Sequence, residues 1–559
     1  MRKKHAEPRR ADRGRERRHP LRPWGVTRAL ICVGVALALF YGGWGLRLVF
    51  AEAGSDSAIV ASFNELAADA AGAREGTQIR HDAMRLLLDA DASRRDLEAV
   101  LNAEIETADA ERRAADPSWA ELADRGELFA YFLGFDATEY PLESWRTALP
   151  GDAWYEAEAA FVDEMLGVSR EGVRRAIDAG IGDALESFAR AECFVWPEVR
   201  GDAPLLEAGI RIEVYIAIRG LSRLNVGRMG QACRNQDWTE FVRAWEATLA
   251  GHRMTRSSPL VVAAMVGDAS VSRACELVLH RLLDGSLPDH VIDALHHAAV
   301  RQDARGPDLL RILDGEHLAA QDAVIRVHTR DGLFGGSYLL GRHRAAIDDP
   351  TLHGFAAGDR HIHDALGVLL PSRDESLGKL AARYDELADQ IRRKASIEDA
   401  PDPFVDALLS GLSRPAWHED ALVHFWPSSG WYLVGARVGA LRLEGVRLML
   451  AIEAHRIRTG SLPNRLADLE LGSSVLPEDP WIVGKPLRYR RSGTAPRGYI
   501  LYSVGPDGVD DGGTQRGDAE GRDAVLPDGR SVRDMQGGDL IIGGQQAVGR
   551  LDGPAEDGS

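Results

Sequence analysis

Between Arg28 and Arg47 the chain runs for eighteen residues, Ala29 to Leu46, without a charge. A helix rising about 1.5 Å per residue makes that run roughly 27 Å long, enough to cross a hydrocarbon core with help from the flanking Trp24, Tyr41 and Trp44. The residues before it are strongly basic: positions 1–28 hold 11 Lys or Arg and 3 Asp or Glu, a net of +8. The other 531 residues must carry −26 for the whole chain to reach −18. Positive charge on the N-terminal side of an apolar helix places that side in the cytoplasm and exports the C-terminal remainder. A cleaved signal peptide is the competing reading, because Ala51-Glu52-Ala53 has the small-x-small form of a cleavage site and cleavage would come after Ala53. Both readings put the body outside the cytoplasm. An acidic body repels phosphate backbones, so nucleic acid is not an expected partner.

The chain as a whole has ordinary globular composition, 45% hydrophobic and 27% charged, and its length suits three or four units. From about Ser57 to Ala395 the apolar residues recur at helical spacing, as in Leu377, Leu380, Tyr384, Leu387 and Ile391. Helices are expected near 205–223, 238–251, 259–284, 289–301, 308–330 and 361–369. Ser93, with Asp96 three residues on, reads as a capping box that opens a helix through Leu97, Leu101 and Ile105. Charged runs such as Arg94-Arg95-Asp96 and Arg392-Arg393-Lys394 read as solvated helix faces. No fixed repeat period is present, so an irregular all-α body is expected over 51–395. Prolines at 401, 403, 415 and 427 make 396–430 the natural linker, and Trp431 to Thr459 then forms one long apolar helix that stops at Gly460.

Beyond that helix the period changes to two. Leu487 and Tyr489 alternate with Arg488 and Arg490, Tyr499, Leu501 and Ser503 alternate with Ile500, Tyr502 and Val504, and Leu540-Ile541-Ile542 supplies a third short strand. A helix across a small antiparallel sheet is the economical packing, giving an α+β module over 431–545.

Two motifs extend this. Asp479-Pro480-Trp481 is followed, after Ile482-Val483, by Gly484-Lys485-Pro486-Leu487-Arg488-Tyr489, and Ser503-Val504-Gly505-Pro506-Asp507-Gly508 comes next. In order and content this region resembles the globular end of the G-type pseudopilins of type II secretion systems. The resemblance implies a calcium site in the loop after the second strand, with Asp507 as first carboxylate and Asp539 as the closing one. Asp510 and Asp511 are natural extra donors, because calcium takes about six to eight oxygens at 2.3–2.6 Å. An acidic, glycine-rich surface turn is the plain alternative. Val509 at the third ligand position argues against an EF-hand. The likeness stops at the membrane segment, where Gly25-Val26-Thr27-Arg28-Ala29-Leu30 lacks the prepilin Gly-Phe site and the acidic fifth residue.

Chemistry is harder to find. His343, His353, His361 and His363 cluster within 21 residues with Asp359 and Asp364, yet no His-Glu-x-x-His occurs and Leu313 occupies the position that Glu316-His317 would need for the inverted motif. Gly335-Gly336-Ser337-Tyr338-Leu339 misses the nucleophile elbow at its last residue. Trp119, Trp145, Trp154 and Trp196 suit a glycan groove or, more ordinarily, a core. Cys193, Cys233 and Cys275 permit one disulfide and leave one thiol.

The sequence therefore describes a mainly α chain in the bacterial inner membrane. A basic cytoplasmic head (1–28) is followed by a transmembrane helix (29–50), the periplasmic helical body (51–395), the linker (396–430), the pseudopilin-like module (431–545) and a tail (546–559). The expected role is a non-catalytic scaffold or interaction protein that meets the membrane through Ala29–Leu46 and binds other envelope proteins. The alternative is an exported metal-dependent hydrolase with its site in the helical body.

Overall fold

The computed structural model describes residues 56–70, 80–115, 171, 173–191, 199, 205, 212–326, 328, 372–393, 429–471, 476–505, 508–513 and 540–543. Ala29–Leu46, the cleavage motif at 51–53, most of the 396–430 linker, helix 361–369, Cys193, the four tryptophans, the histidines at 343, 353, 361 and 363, and Ser337 lie outside them. Among the described residues no helix is long and apolar enough to cross a membrane. By contact the chain divides into Met1–Gly54 with Val327–Val368 and Ser55–Arg326 with Leu369–Ser559. Every described helix and strand belongs to the second unit.

The fold is mainly α. Its helices are α1 (Ser57–Ala70), α2 (Arg80–Ala115), α3 (Ile181–Ala189), α4 (Ile212–Asn235), α5 (Trp238–Arg256), α6 (Val261–Leu283), α7 (Asp289–Arg301), α8 (Leu309–Arg326), α9 (Arg373–Arg393) and α10 (Ser429–Thr459). Helices α4, α5 and α6 pack on one another through short connections. The first connection needs only two residues, because Gln236 takes a left-handed φ of 58° and the Asp237 side chain caps α5 by accepting from the Glu240 N–H at 3.1 Å. Helices α2 and α3 pack on the α4–α5 side, α1 and α9 pack on α8, and α10 packs on α6 and α7.

Helix α2 departs from expectation twice. It starts at Arg80, so Ser93 is interior: its hydroxyl donates to the Asp89 carbonyl at 3.2 Å instead of capping a new helix. Apolar residues before it, Leu87 and Ala90, are buried and carry the helix through. Arg94 is not on a solvated face either. It is buried, bonded through Nε to Asp91 at 2.8 Å, and lies where a side chain at Gly220 would stand, since a Cβ there would meet its Cζ at 2.4 Å. A glycine on the neighbouring helix is what admits the guanidinium; Arg95 and Asp96 stay exposed.

After α10 the chain turns at Gly460, whose φ of 73° suits a residue without a Cβ. Strands β1 (Arg488–Arg491), β2 (Tyr499–Ser503) and β3 (Leu540–Gly543) form an antiparallel sheet in the order β1-β2-β3. Arg488 pairs with Tyr502 and Arg491 with Tyr499; Ser503 pairs with Leu540, with a shift in register between Leu501 and Tyr502. The sheet lies on α10, where Ile542 fills the space over Gly445.

Helix α10 joins the helices to the sheet. Val446, Leu448, Met449, Leu450, Ile452 and Ala454 are all buried, which no single apolar stripe allows. One side packs on α6 and α7 and another on the sheet, so the core is continuous from Phe241, Trp245 and Val278 through α10 to Trp481, Leu501 and Ile542. A helix apolar all round is a buried helix, and each fully buried aliphatic or aromatic side chain there stabilises the fold by about 1.5–3 kcal/mol. The helical bundle and the sheet thus share one core.

Candidate functional site

Of the four carboxylates proposed for calcium, Asp507 and Asp539 lie outside the described residues. Asp510 and Asp511 sit in the turn after β2. Asp510 is already engaged: Oδ1 accepts from the Tyr502 hydroxyl and the Gly512 N–H, both at 3.0 Å, and Oδ2 pairs with Arg488 Nε at 3.2 Å. Partial burial works to raise its pKa, but these donors together bring the carboxyl below its usual range. Left-handed glycines at 512 and 513 close the turn, and Gly513 packs against Ile500 and Tyr502. Both oxygens of Asp510 are thus bonded within the turn and to β1. Among the described residues no group of three or more His, Cys, Asp or Glu is arranged to hold a metal ion.

The motif residues that suggested the site hold the module together. Asp479, fully buried, accepts from the Trp481 N–H at 3.0 Å and the Ser503 hydroxyl at 2.9 Å through Oδ1, and from the Val504 N–H at 3.1 Å through Oδ2. Ser503 Oγ in turn accepts from the Gly505 N–H at 3.2 Å. One carboxylate therefore ties the turn before β1 to the end of β2. A second buried carboxylate, Glu453 on α10, accepts from Arg497 Nε at 3.1 Å and Nη2 at 2.6 Å, and from Arg456 Nε at 2.7 Å. It fastens the β1–β2 loop to the helix.

A further polar cluster lies where α5 passes into α6 and α8 crosses their connection. His252 Nε2 stands 3.5 Å from Asp268 Oδ1 between α5 and α6, with Gly439 of α10 packed on the Asp268 carboxyl. Burial lowers the imidazole's affinity for a proton and raises the carboxyl's pKa, against the pairing between them. Thr255 Oγ1 donates to the His252 carbonyl at 2.8 Å, and Gly267 leaves it room, since a Cβ there would stand 2.1 Å from that oxygen. At the end of α5, burial brings Arg256 down to about 10 although Asp303 offsets it; Nη1 donates to the Asp303 carbonyl at 2.6 Å. Arg311 of α8 donates to the Arg256 carbonyl, and Glu444 of α10 accepts the Gly306 N–H at 3.0 Å.

The same cluster contains a carboxylate acting on another helix. Leu260 gives α6 no side-chain cap, and instead Glu316 Oε1 on α8 accepts the Val261 N–H at 2.7 Å. The backbones are close here: a Cβ on Gly315 would stand 2.0 Å from the Pro259 carbonyl oxygen. Burial pushes Glu316 up to about 7, opposed by the bond from Val261. Tyr215 of α4 and Tyr384 of α9 lie near it, and burial raises both phenols. Sequence reasoning noticed Glu316-His317 only as a failed metal motif and did not single out Tyr215, His252 or Asp268. Gly315 beside Glu316 was the one local trace, and it names no partner.

Each of these acids takes a hydrogen-bond donor from a different element, so the chemistry on display is fastening. Among the described residues Cys233 and Cys275 form no disulfide. No family model, curated protein or solved structure matches the chain.

Proposed function

We propose that the chain is a single-pass protein of the bacterial inner membrane, anchored by Ala29–Leu46, whose exported body is a non-catalytic scaffold or interaction module. The C-terminal helix-and-sheet module, which resembles the pseudopilin globular end in its motifs, is the part we assign to contact with other envelope proteins, secretion machinery among them. The observation that carries this reading is the shared core: α10 packs at once on α6 and α7 of the bundle and on the sheet. A partner held by the sheet would be coupled rigidly to the helical body, as a scaffold requires. The use of Asp479, Glu453, Glu444 and Glu316 as inter-element fasteners supports the same reading.

Topology is the test. A C-terminal alkaline phosphatase fusion should be active and a C-terminal green fluorescent protein fusion dark; the reverse pattern sinks the proposal. Calcium belongs to this reading only if the ion draws on Asp507, Asp511 and Asp539 or displaces Arg488 from Asp510. Melting the full chain in EDTA and in excess calcium decides that, and identical curves remove the ion.

A further inference from the structure

We propose that the outer edge of β1 is a docking strand for an extended acidic segment of a partner protein, which joins the sheet as a fourth strand. This rests on the reading of the C-terminal module as the contact with other proteins, and it names the chemistry of what is contacted. Strand β1 lies at one edge of the sheet. The Ser492 N–H donates to the Gly498 carbonyl at 2.8 Å, and bonded pairs recur at every second position of an antiparallel ladder, so Arg490 and Arg488 are the residues that exchange bonds with β2. The N–H and C=O groups of Tyr489 and Arg491 point the other way. Among the described residues the bonds of Tyr489 and Arg491 come from their side chains, which donate to the Pro463 and Leu462 carbonyls just beyond α10, and no backbone bond reaches those four groups.

The same edge is a basic island in an acidic chain. Positions 485–497 hold five Lys or Arg and no Asp or Glu, in a chain of net charge −18. Two of the five are already paired, Arg497 with Glu453 and Arg488 with Asp510. Lys485 and Arg490 are exposed and, among the described residues, their side chains meet no acid; the exposed Arg491 bonds only neutral carbonyls. Positive charge on an edge strand turns away a second copy of itself, because two β1 edges laid together would crowd arginine against arginine. An incoming strand of opposite charge satisfies both features of the edge. Its backbone takes up the open N–H and C=O groups, and carboxylates at alternate positions stand on the face that carries Arg488 and Arg490, which share a side because side chains alternate along a strand.

The probe is a short capped peptide of alternating glutamate and threonine, added to the purified full chain at up to millimolar concentration. Exchange of the Tyr489 and Arg491 amides should slow about tenfold once the peptide stands at about ten times its Kd, while the Arg490 amide, already bonded to β2, stays unchanged. The same peptide N-methylated at alternate bonds, which keeps the charge and loses the backbone donors, should have no effect, and neither should its lysine counterpart. Arg490→Glu, at an exposed side chain without a partner among the described residues, should weaken binding about fivefold or more with an unchanged melting temperature, because an attraction becomes a repulsion. No slowing at millimolar peptide overturns the proposal, as does undiminished binding to Arg490→Glu. Equal slowing by the N-methylated or lysine peptide, by phosphatidylglycerol vesicles, or by concentrating the chain alone also overturns it. The fusion assay is independent of these measurements: export without docking removes the acidic strand and leaves the exported scaffold, and docking with a cytoplasmic C-terminus does the reverse.

Discussion

Replacing Asp479 by alanine should unfasten the C-terminal module from within. The carboxylate receives three hydrogen bonds, from the Trp481 N–H, the Ser503 hydroxyl and the Val504 N–H, at 2.9–3.1 Å in a fully buried position. Alanine leaves two backbone N–H groups without an acceptor, and each buried unsatisfied group costs about 1–3 kcal/mol. The serine hydroxyl can rotate to another acceptor, and water entering the vacated space offsets part of the loss, so the net is roughly 3–5 kcal/mol. Asp479→Asn retains one acceptor but turns an NH₂ toward a donor, and should fall near half that loss. Ser503→Ala alone should cost about 1 kcal/mol and combine non-additively with either change, because the two residues touch. Denaturant midpoints of the full chain give the ranking. Exchange mass spectrometry over residues 479–505 should show the Val504 region losing protection by about thirtyfold for each 2 kcal/mol. A penalty below about 1 kcal/mol for Asp479→Ala, or unchanged protection at β2, would refute the view that this carboxylate locks the turn to the strand.

Two further outcomes test other fasteners. Arg497→Ala leaves the Glu453 carboxylate buried with Arg456 as its remaining guanidinium, and thermal melting should show about 2–4 kcal/mol lost; Arg497→Lys, which cannot make the forked pair, should lose about half as much. Two glycine-to-alanine changes should both destabilise. At Gly315 the new Cβ meets the Pro259 backbone, and at Gly445 it would stand 2.5 Å from Cγ2 of the buried, β-branched Ile542, so each should cost about 1–3 kcal/mol in thermal melting.

The regular elements were legible in the sequence because their signals are local. Periodic apolar residues located α5, α6, α7 and α9, and Gly460 and the alternation around Tyr489 and Tyr499 marked a stop and two strands. Helix α4 ends twelve residues beyond its expected limit of 223, since Gly227 and Gly230 are tolerated in a helix packed on two others. Ser93 misled because a hydroxyl that can cap a helix can equally bond the carbonyl four residues back, and only the buried Leu87 and Ala90 decide between the two.

The amino-acid order alone therefore located most of the helices, the strands and the apolar character of α10. The tertiary structure decided which polar groups lie inside. Arg94 is buried because Gly220 leaves space opposite it, and Asp479 because Ser503 and Val504 meet it. Whether a charge is solvated, paired or stripped of water depends on atoms brought from distant parts of the chain. No run of neighbouring residues encodes that environment.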